Sequence, residues 1–202
     1  MKKFELTSET KINIFGKKLF RIKALISFAD VEAGETGGWV EKEGNVNQSG
    51  NAWVSGNAEV SGNAMVSGDA MVYGDAMVSG NAMVSGNAEV SGNAWVSGNA
   101  MVSGDAMVYG NAWVSGDAKV YGDAKVYGDA DYTTIHGFGA QFRTTTFFRC
   151  KDKKVRVACG CFFGTIPEFR EQVKKTRSGK IVEEYLMIAD LMEKHFEVKS
   201  NE

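Results

Sequence analysis

Through the middle of the chain, apolar and polar residues alternate within blocks of six. From Asn51 to Gly128 the sequence divides without remainder into thirteen hexads of the form (Asn/Asp)-Ala-x-Val-(Ser/Tyr)-Gly. Degenerate copies flank them, "NVNQSG" over Asn45–Gly50 and "DADYTT" over Asp129–Thr134. Ala and Val sit two apart, so in an extended strand both point to one side, while x and Ser/Tyr point to the other. Gly followed by Asn or Asp supplies two residues that tolerate the left-handed backbone of a sharp corner. A short strand and a corner every six residues predict a coil rather than a hairpin.

The pattern changes at both ends. "KINIFGKKLFRIKALISF" alternates apolar and polar residues on either side of Gly16-Lys17-Lys18, which predicts a β-hairpin. It leads through Gly34, Gly37 and Gly38 into a strand at Trp39-Val40. After the hexads, "RTTTFFRCKDKKVRVACGCFFGT" predicts two strands joined at Lys151–Lys154. Thr165-Ile-Pro-Glu168 has the spacing of a capping box, with Pro167 in the first turn. Ile166, Phe169 and Val173 then share one helical face, and Val182, Tyr185, Ala189, Met192 and Phe196 share the face of a second helix. The expected units are an N-terminal β cap over 1–44, a repeat region over 45–134 and a C-terminal ββαα cap over 135–202.

Val54 with Ala58, Val60 with Ala64, and so on to Val120 with Ala124, place an aliphatic residue four before a small one. This resembles the hexapeptide-repeat family. The resemblance implies a mainly β fold, a left-handed parallel β-helix in which three hexads complete one coil. Residues eighteen apart then stack at the strand spacing of about 4.8 Å. One outward face would carry Trp53, Met71, Glu89, Met107 and Lys125, beside Tyr73, Tyr109 and Tyr127. A second would carry Glu59, Met77, Trp95 and Trp113, and a third Met65, Met83, Met101 and Lys119.

The inward positions need only Ala and Val, but the outward ones are unusually apolar. Contiguous apolar patches on a protein surface mark interfaces, and Met and Trp suit adaptable contacts and binding hot spots. Trp53, Met65, Met71, Met77, Met83, Trp95, Met101, Met107 and Trp113, with Tyr73, Tyr109 and Tyr127, are therefore the expected interface residues. Self-association is the first expectation, with a trimer favoured because a cyclic trimer needs only one surface to meet another. A host protein or a small signalling molecule is the alternative partner.

Charge is uneven along the chain. Residues 45–134 hold two lysines against nine acids, and residues 135–202 hold thirteen Lys/Arg against nine acids. Neither part has the dense basic patch of a nucleic-acid binder, so no nucleic acid is expected. No stretch approaches the roughly 18 apolar residues of a membrane span, and no membrane partner is expected. Three cysteines, all between Cys150 and Cys161, are too few for a secreted disulfide framework. The expectation is a soluble, cytoplasmic protein without a cofactor.

Three chemistries come into question. Cys150, Cys159 and Cys161 could hold zinc with His136 as fourth ligand, but the usual Cys-x₂₋₄-Cys knuckle is lacking. Cys159 and Cys161, two apart, would share a strand face with Val155, Val157 and Phe163, and Cys150 would share one with Phe148, so small core residues are the expectation. Asp105 and Asp123, one coil apart, could attract Ca²⁺, although the Asn/Asp alternation reads as turn chemistry. Acyl transfer, which the family resemblance brings in, needs a histidine base near the coils, and no histidine lies within the hexads.

"DVEAGETGGWVE", "GNAWVSGNAEVSG" and "FFRCKDKKVRVACGCFFGT", in that order, resemble a group of small phage and prophage hexapeptide-repeat proteins, some labelled polymer-forming. The resemblance implies phage ancestry and residence in a host cytoplasm. The functional expectation is a non-enzymatic binding or scaffold protein, with inhibition of bacterial antiviral defence as the alternative and acyl transfer a more distant one.

Overall fold

The computed structural model describes residues 2–197; Met1 and residues 198–202, the ends of the two predicted caps, lie outside the described residues. The chain opens with strands β1 (Phe4–Ile12), β2 (Lys18–Ala24) and β3 (Thr36–Val40). Thirteen two-residue strands follow at six-residue intervals, from β4 (Trp53–Val54) through β5 (Glu59–Val60) and β6 (Met65–Val66) to β16 (Lys125–Val126). The C-terminal part adds β17 (Tyr132–Phe138), β18 (Arg143–Arg149), β19 (Val155–Cys159), β20 (Phe162–Thr165), α1 (Ile166–Thr176) and α2 (Lys180–Glu197).

The short strands form a parallel β-solenoid. Strands three hexads apart pair in parallel, Glu89 opposite Met71 and Met107, Trp95 opposite Met77 and Trp113, Met101 opposite Met83 and Lys119. The eighteen-residue repeat and all three face assignments read from the sequence are thus the observed ones. Every hexad Ala and Val from Ala52 to Val126 is buried in one continuous core. Only small and β-branched side chains fit so narrow a prism, which is why these two positions hardly vary.

Neighbouring coils exchange backbone hydrogen bonds in both directions, as parallel strands do. At the outward and corner positions the N–H groups donate to the carbonyls of the next coil, as from Trp53 to Ala70 and from Met71 to Ala88. The corner amides follow the same sense: Asn63 Nδ2 donates to Asn81 Oδ1, Asn81 to Asn99, and Asn99 to Asp117. An Asp can accept but not donate, so it ends such a ladder. Carbonyls of Gly50, Ala52, Ala58, Val60, Gly62 and Ala64 face the N-terminal end and N–H groups of Lys119 and Tyr127 face the other, and an unpaired edge of this kind needs cover.

The N-terminal cap supplies donors to these carbonyls, and the C-terminal cap supplies acceptors together with a donor, Lys151 N to Asp123 O at 3.0 Å. At the N-terminal end the Lys3 ammonium donates to Gly50 O and Ala52 O at 3.1 and 2.7 Å. Asn45 Nδ2 does the same at the next equivalent corner, to Gly62 O and Ala64 O at 3.2 and 2.8 Å. Backbone N–H groups of Trp39 and Glu41 satisfy Ala58 and Val60. At the other end acceptors take over: Lys119 N donates to the buried Thr146 Oγ1, and Tyr127 N to Asp131 Oδ2.

The predicted hairpin is β1–β2, turning at Asn13–Lys17, and it continues antiparallel into β3, which joins the solenoid beside β5. Phe4, Ile22, Ala24 and Val31 close the core from this side. The C-terminal cap contains the two predicted strands, β18 and β19, within a four-stranded antiparallel sheet ordered β17-β18-β19-β20. The two extra strands escaped the sequence reading because β17 starts inside the degenerate hexad "DADYTT" and β20 is separated from β19 by only Gly160 and Cys161. Alternation along this sheet splits it between two cores. Phe148, Cys150 and Ala158 seal the solenoid, while Phe147 and Val157 face Ile166, Phe169, Val173, Tyr185, Ala189 and Met192 of the helices. The capping box is present: Thr165 Oγ1 accepts from Glu168 N, and the Glu168 carboxylate accepts from Thr165 N.

Candidate functional site

The outward columns differ in what the caps leave open. On the first face, Trp53 is 1 % exposed. It was expected as an interface residue, and the structure corrects this: Phe4 and Phe28 pack edge-on against its indole at 6.1 and 5.5 Å. Further along, the face turns polar. Tyr73 donates its hydroxyl to Glu89 Oε2 at 3.1 Å, and Tyr109 lies 5.3 Å from Tyr127 between ring centroids. Burial, then the Glu89 carboxylate, push the Tyr109 phenol up to about 12. Met71 and Met107 are half-buried and Tyr127 is exposed.

The second face is overhung by the N-terminal hairpin. Lys11 bridges to Glu59 at 2.8 Å and lies over the Trp39 ring, and Arg21 stacks on the same ring. The hairpin tip brings Phe15 against Trp95 at 5.5 Å, and Trp95 stacks on Trp113. Each indole also donates to a serine of the preceding coil, Trp95 to Ser79 and Trp113 to Ser97. The aromatic column read from the sequence is real, but the contribution of Phe15 was not legible, because a hairpin tip carries no periodicity that shows where it folds back. Met77 is half-buried.

The third face has Met65, Met83 and Met101 in register, with Lys119 completing the column. Met65 is 41 % exposed and Met83 40 %, although their neighbours one coil away shield part of each side chain. Met101 is half-buried, with Tyr121 Oη 3.6 Å from its sulfur. Ser67, Ser85 and Ser103 line the column.

The cysteines and His136 do not form one group: His136 and Cys161 line one cleft, Cys159 and Cys161 line another, and Cys150 lies apart from both. Cys150 is buried in the solenoid core, and desolvation together with Asp123 pushes its thiol up to about 12, far from the thiolate a metal or an electrophile requires. Cys159 lies on the opposite side of the sheet, accepting from Thr145 Oγ1 at 3.1 Å. Cys161 is exposed, which corrects its expected place in the apolar core: Gly160, at φ +62°, turns the chain between β19 and β20, so the two cysteines do not share a strand. His136 Nδ1 lies 3.0 Å from Thr144 Oγ1. Among the described residues no three His, Cys, Asp or Glu side chains group as a metal site. Nor is any helix there long and apolar enough to cross a membrane.

Comparison with known families agrees with the coil geometry. The family described as YdcK Beta solenoid repeat matches residues 58–74, 70–86, 76–92 and 100–116. No curated protein matches the chain. The chain is built around a hexapeptide-repeat β-solenoid, similar over residues 58–92 and 100–116 to the YdcK beta solenoid repeat.

Proposed function

We propose that this protein is a non-enzymatic binding scaffold that self-associates through the third face of its solenoid. The observation that carries the reading is the Met65–Met83 pair, which repeats an exposed thioether at the coil spacing on the face that the N-terminal hairpin does not overhang. Unbranched, polarisable side chains in such a row adapt to an opposing surface. A second copy offers a partner with the same spacing; face against face closes as a dimer, and a trimer forms where this face meets a different patch of the next copy. Nine of the thirteen variable hexad positions carry Met or Trp, and the others carry Glu59, Glu89, Lys119 and Lys125.

The experiment is light scattering over a dilution series at low and moderate salt, on wild type and on the double variant Met65→Ser/Met83→Ser. A defined oligomer that the variant reduces to monomer at unchanged melting temperature is the expected result. A wild type that stays monomeric throughout the series removes self-association and leaves a host protein as the occupant to seek.

A further inference from the structure

The C-terminal cap holds a concave feature that none of the face columns involves. A cleft of about 140 Å³ opens between the β17–β18 loop, the β19–β20 turn and the two helices. Its floor includes the buried ring of Tyr185 and the half-buried Cys159, and Arg143 and Arg177 stand at its wall. Among the described residues no carboxylate lines it.

The rest of the cap treats its arginines differently. Arg149 pairs with Asp131, Arg156 with Asp152, and Arg170 with both Asp190 and Glu193. Arg143 and Arg177 have no acidic partner among the described residues; Arg177 donates only to the neighbouring Thr176 carbonyl at 3.3 Å. Both side chains are exposed and line one cleft, and their planar forks match the oxygens of phosphate and carboxylate.

The backbone is shaped around these groups. A β-carbon on Gly160 would lie 2.5 Å from Arg143 Nη1, so the guanidinium rests directly on that turn. A β-carbon on Gly139 would collide with the Tyr185 hydroxyl. Both glycines have left-handed φ, +62° and +73°, so the loops and the side chains they admit are fitted to each other. Burial and Cys159 push the Tyr185 phenol up, while Arg177 and Arg143 pull the other way, as they must if both lie near its oxygen.

We propose that this cleft binds the oxyanion group of a small ligand, a phosphoryl or carboxylate group, between Arg143 and Arg177. The Gln141 and Gln172 amides at the rim supply neutral donors. At about 30 Å³ per water the volume is that of four or five waters, enough for the oxyanion head of a ligand and not for a whole nucleotide.

The test is thermal melting of the full chain with sodium phosphate and, in parallel, sodium malonate, at constant ionic strength set by chloride. A ligand that binds only the folded state raises the midpoint progressively with its concentration. The expected result is a rise above the chloride control that shrinks in Arg143→Gln and in Arg177→Gln and vanishes in the double variant. Titration calorimetry should show each single variant weakening binding by about tenfold or more. Whichever anion gives the larger rise identifies the phosphoryl or carboxylate source. Failure of both anions to exceed chloride overturns the proposal, and so does an equal rise in wild type and double variant. The outcome is independent of self-association, because neither arginine lies on the solenoid.

Discussion

Trp95 and Trp113 lie one coil apart with ring centroids 4.9 Å from each other and planes 3° from parallel. The separation is that of neighbouring strands, so the rings inherit their stacking from the coil beneath them. Aromatic pairs contribute about 0.5–1.5 kcal/mol beyond the area they bury. Trp113 is 49 % exposed. Replacing Trp113 with Ala should therefore lower stability by about 1 kcal/mol, visible as a lower denaturant midpoint at unchanged slope. Trp95→Ala should cost more, since Phe15 packs on its ring as well. The near-ultraviolet circular dichroism of the coupled indoles should disappear in both variants.

Lys3 should make the protein more stable as pH rises above neutrality. Desolvation lowers its ammonium to about 8 from an ordinary 10.5, with Asp69 opposing the shift. Between those two values the unfolded chain keeps a proton that the folded chain has released, so stability increases with pH across the window. The full span corresponds to about 3 kcal/mol. The neutral amine still has two N–H donors for Gly50 and Ala52, so the cap survives deprotonation. Denaturant midpoints should rise from pH 8 to 9 in wild type and not in Lys3→Met. Above pH 9 the Cys150 thiol, pushed up to about 12 in the fold, acts in the opposite direction, and above pH 10 so do the tyrosines whose phenols are pushed up, Tyr109 among them.

Two corner glycines of the same conformation should differ in their tolerance of a methyl group. Gly86 and Gly116 have φ of +69° and +65°. A β-carbon at 86 would meet Gly104 N at 3.0 Å and Gly104 O at 3.1 Å, whereas one at 116 meets nothing within 4 Å. Gly116→Ala should cost only the left-handed strain, about 1–2 kcal/mol. Gly86→Ala must also push two coils apart and should cost about twice that. Equal melting temperatures for the two variants would show that the coils relax around the added methyl.

The solenoid was legible because its period carries the information twice, in the Ala/Val pair that points inward and in the Gly-Asn/Asp corner. Register followed from counting eighteen residues, and this placed Met65 with Met83 and Trp95 with Trp113 before any coordinates. The caps were legible in part. The capping box at Thr165 and Glu168 is a local signal, and the structure contains it. Burial of Trp53 is not local: it depends on Phe4 and Phe28, which are distant in sequence and belong to no repeat. Lys3 and Asn45 as carbonyl caps were missed for the same reason, since each replaces a coil that is not there. The Arg143–Arg177 cleft is assembled from a loop and a helix end, and neither residue belongs to a motif.

The identical pairing of every coil with the next makes the length of this protein a discrete variable. Each coil meets only its predecessor and its successor, so eighteen residues added or removed would leave both caps facing the groups they now satisfy. Six or twelve would turn the C-terminal cap by one or two sides of the prism, changing the bearing of the Arg143 cleft relative to the Phe15 overhang. A gene encoding such a rod can drift in length by whole coils while its ends keep their relative bearing, and any other step alters which surfaces are presented together.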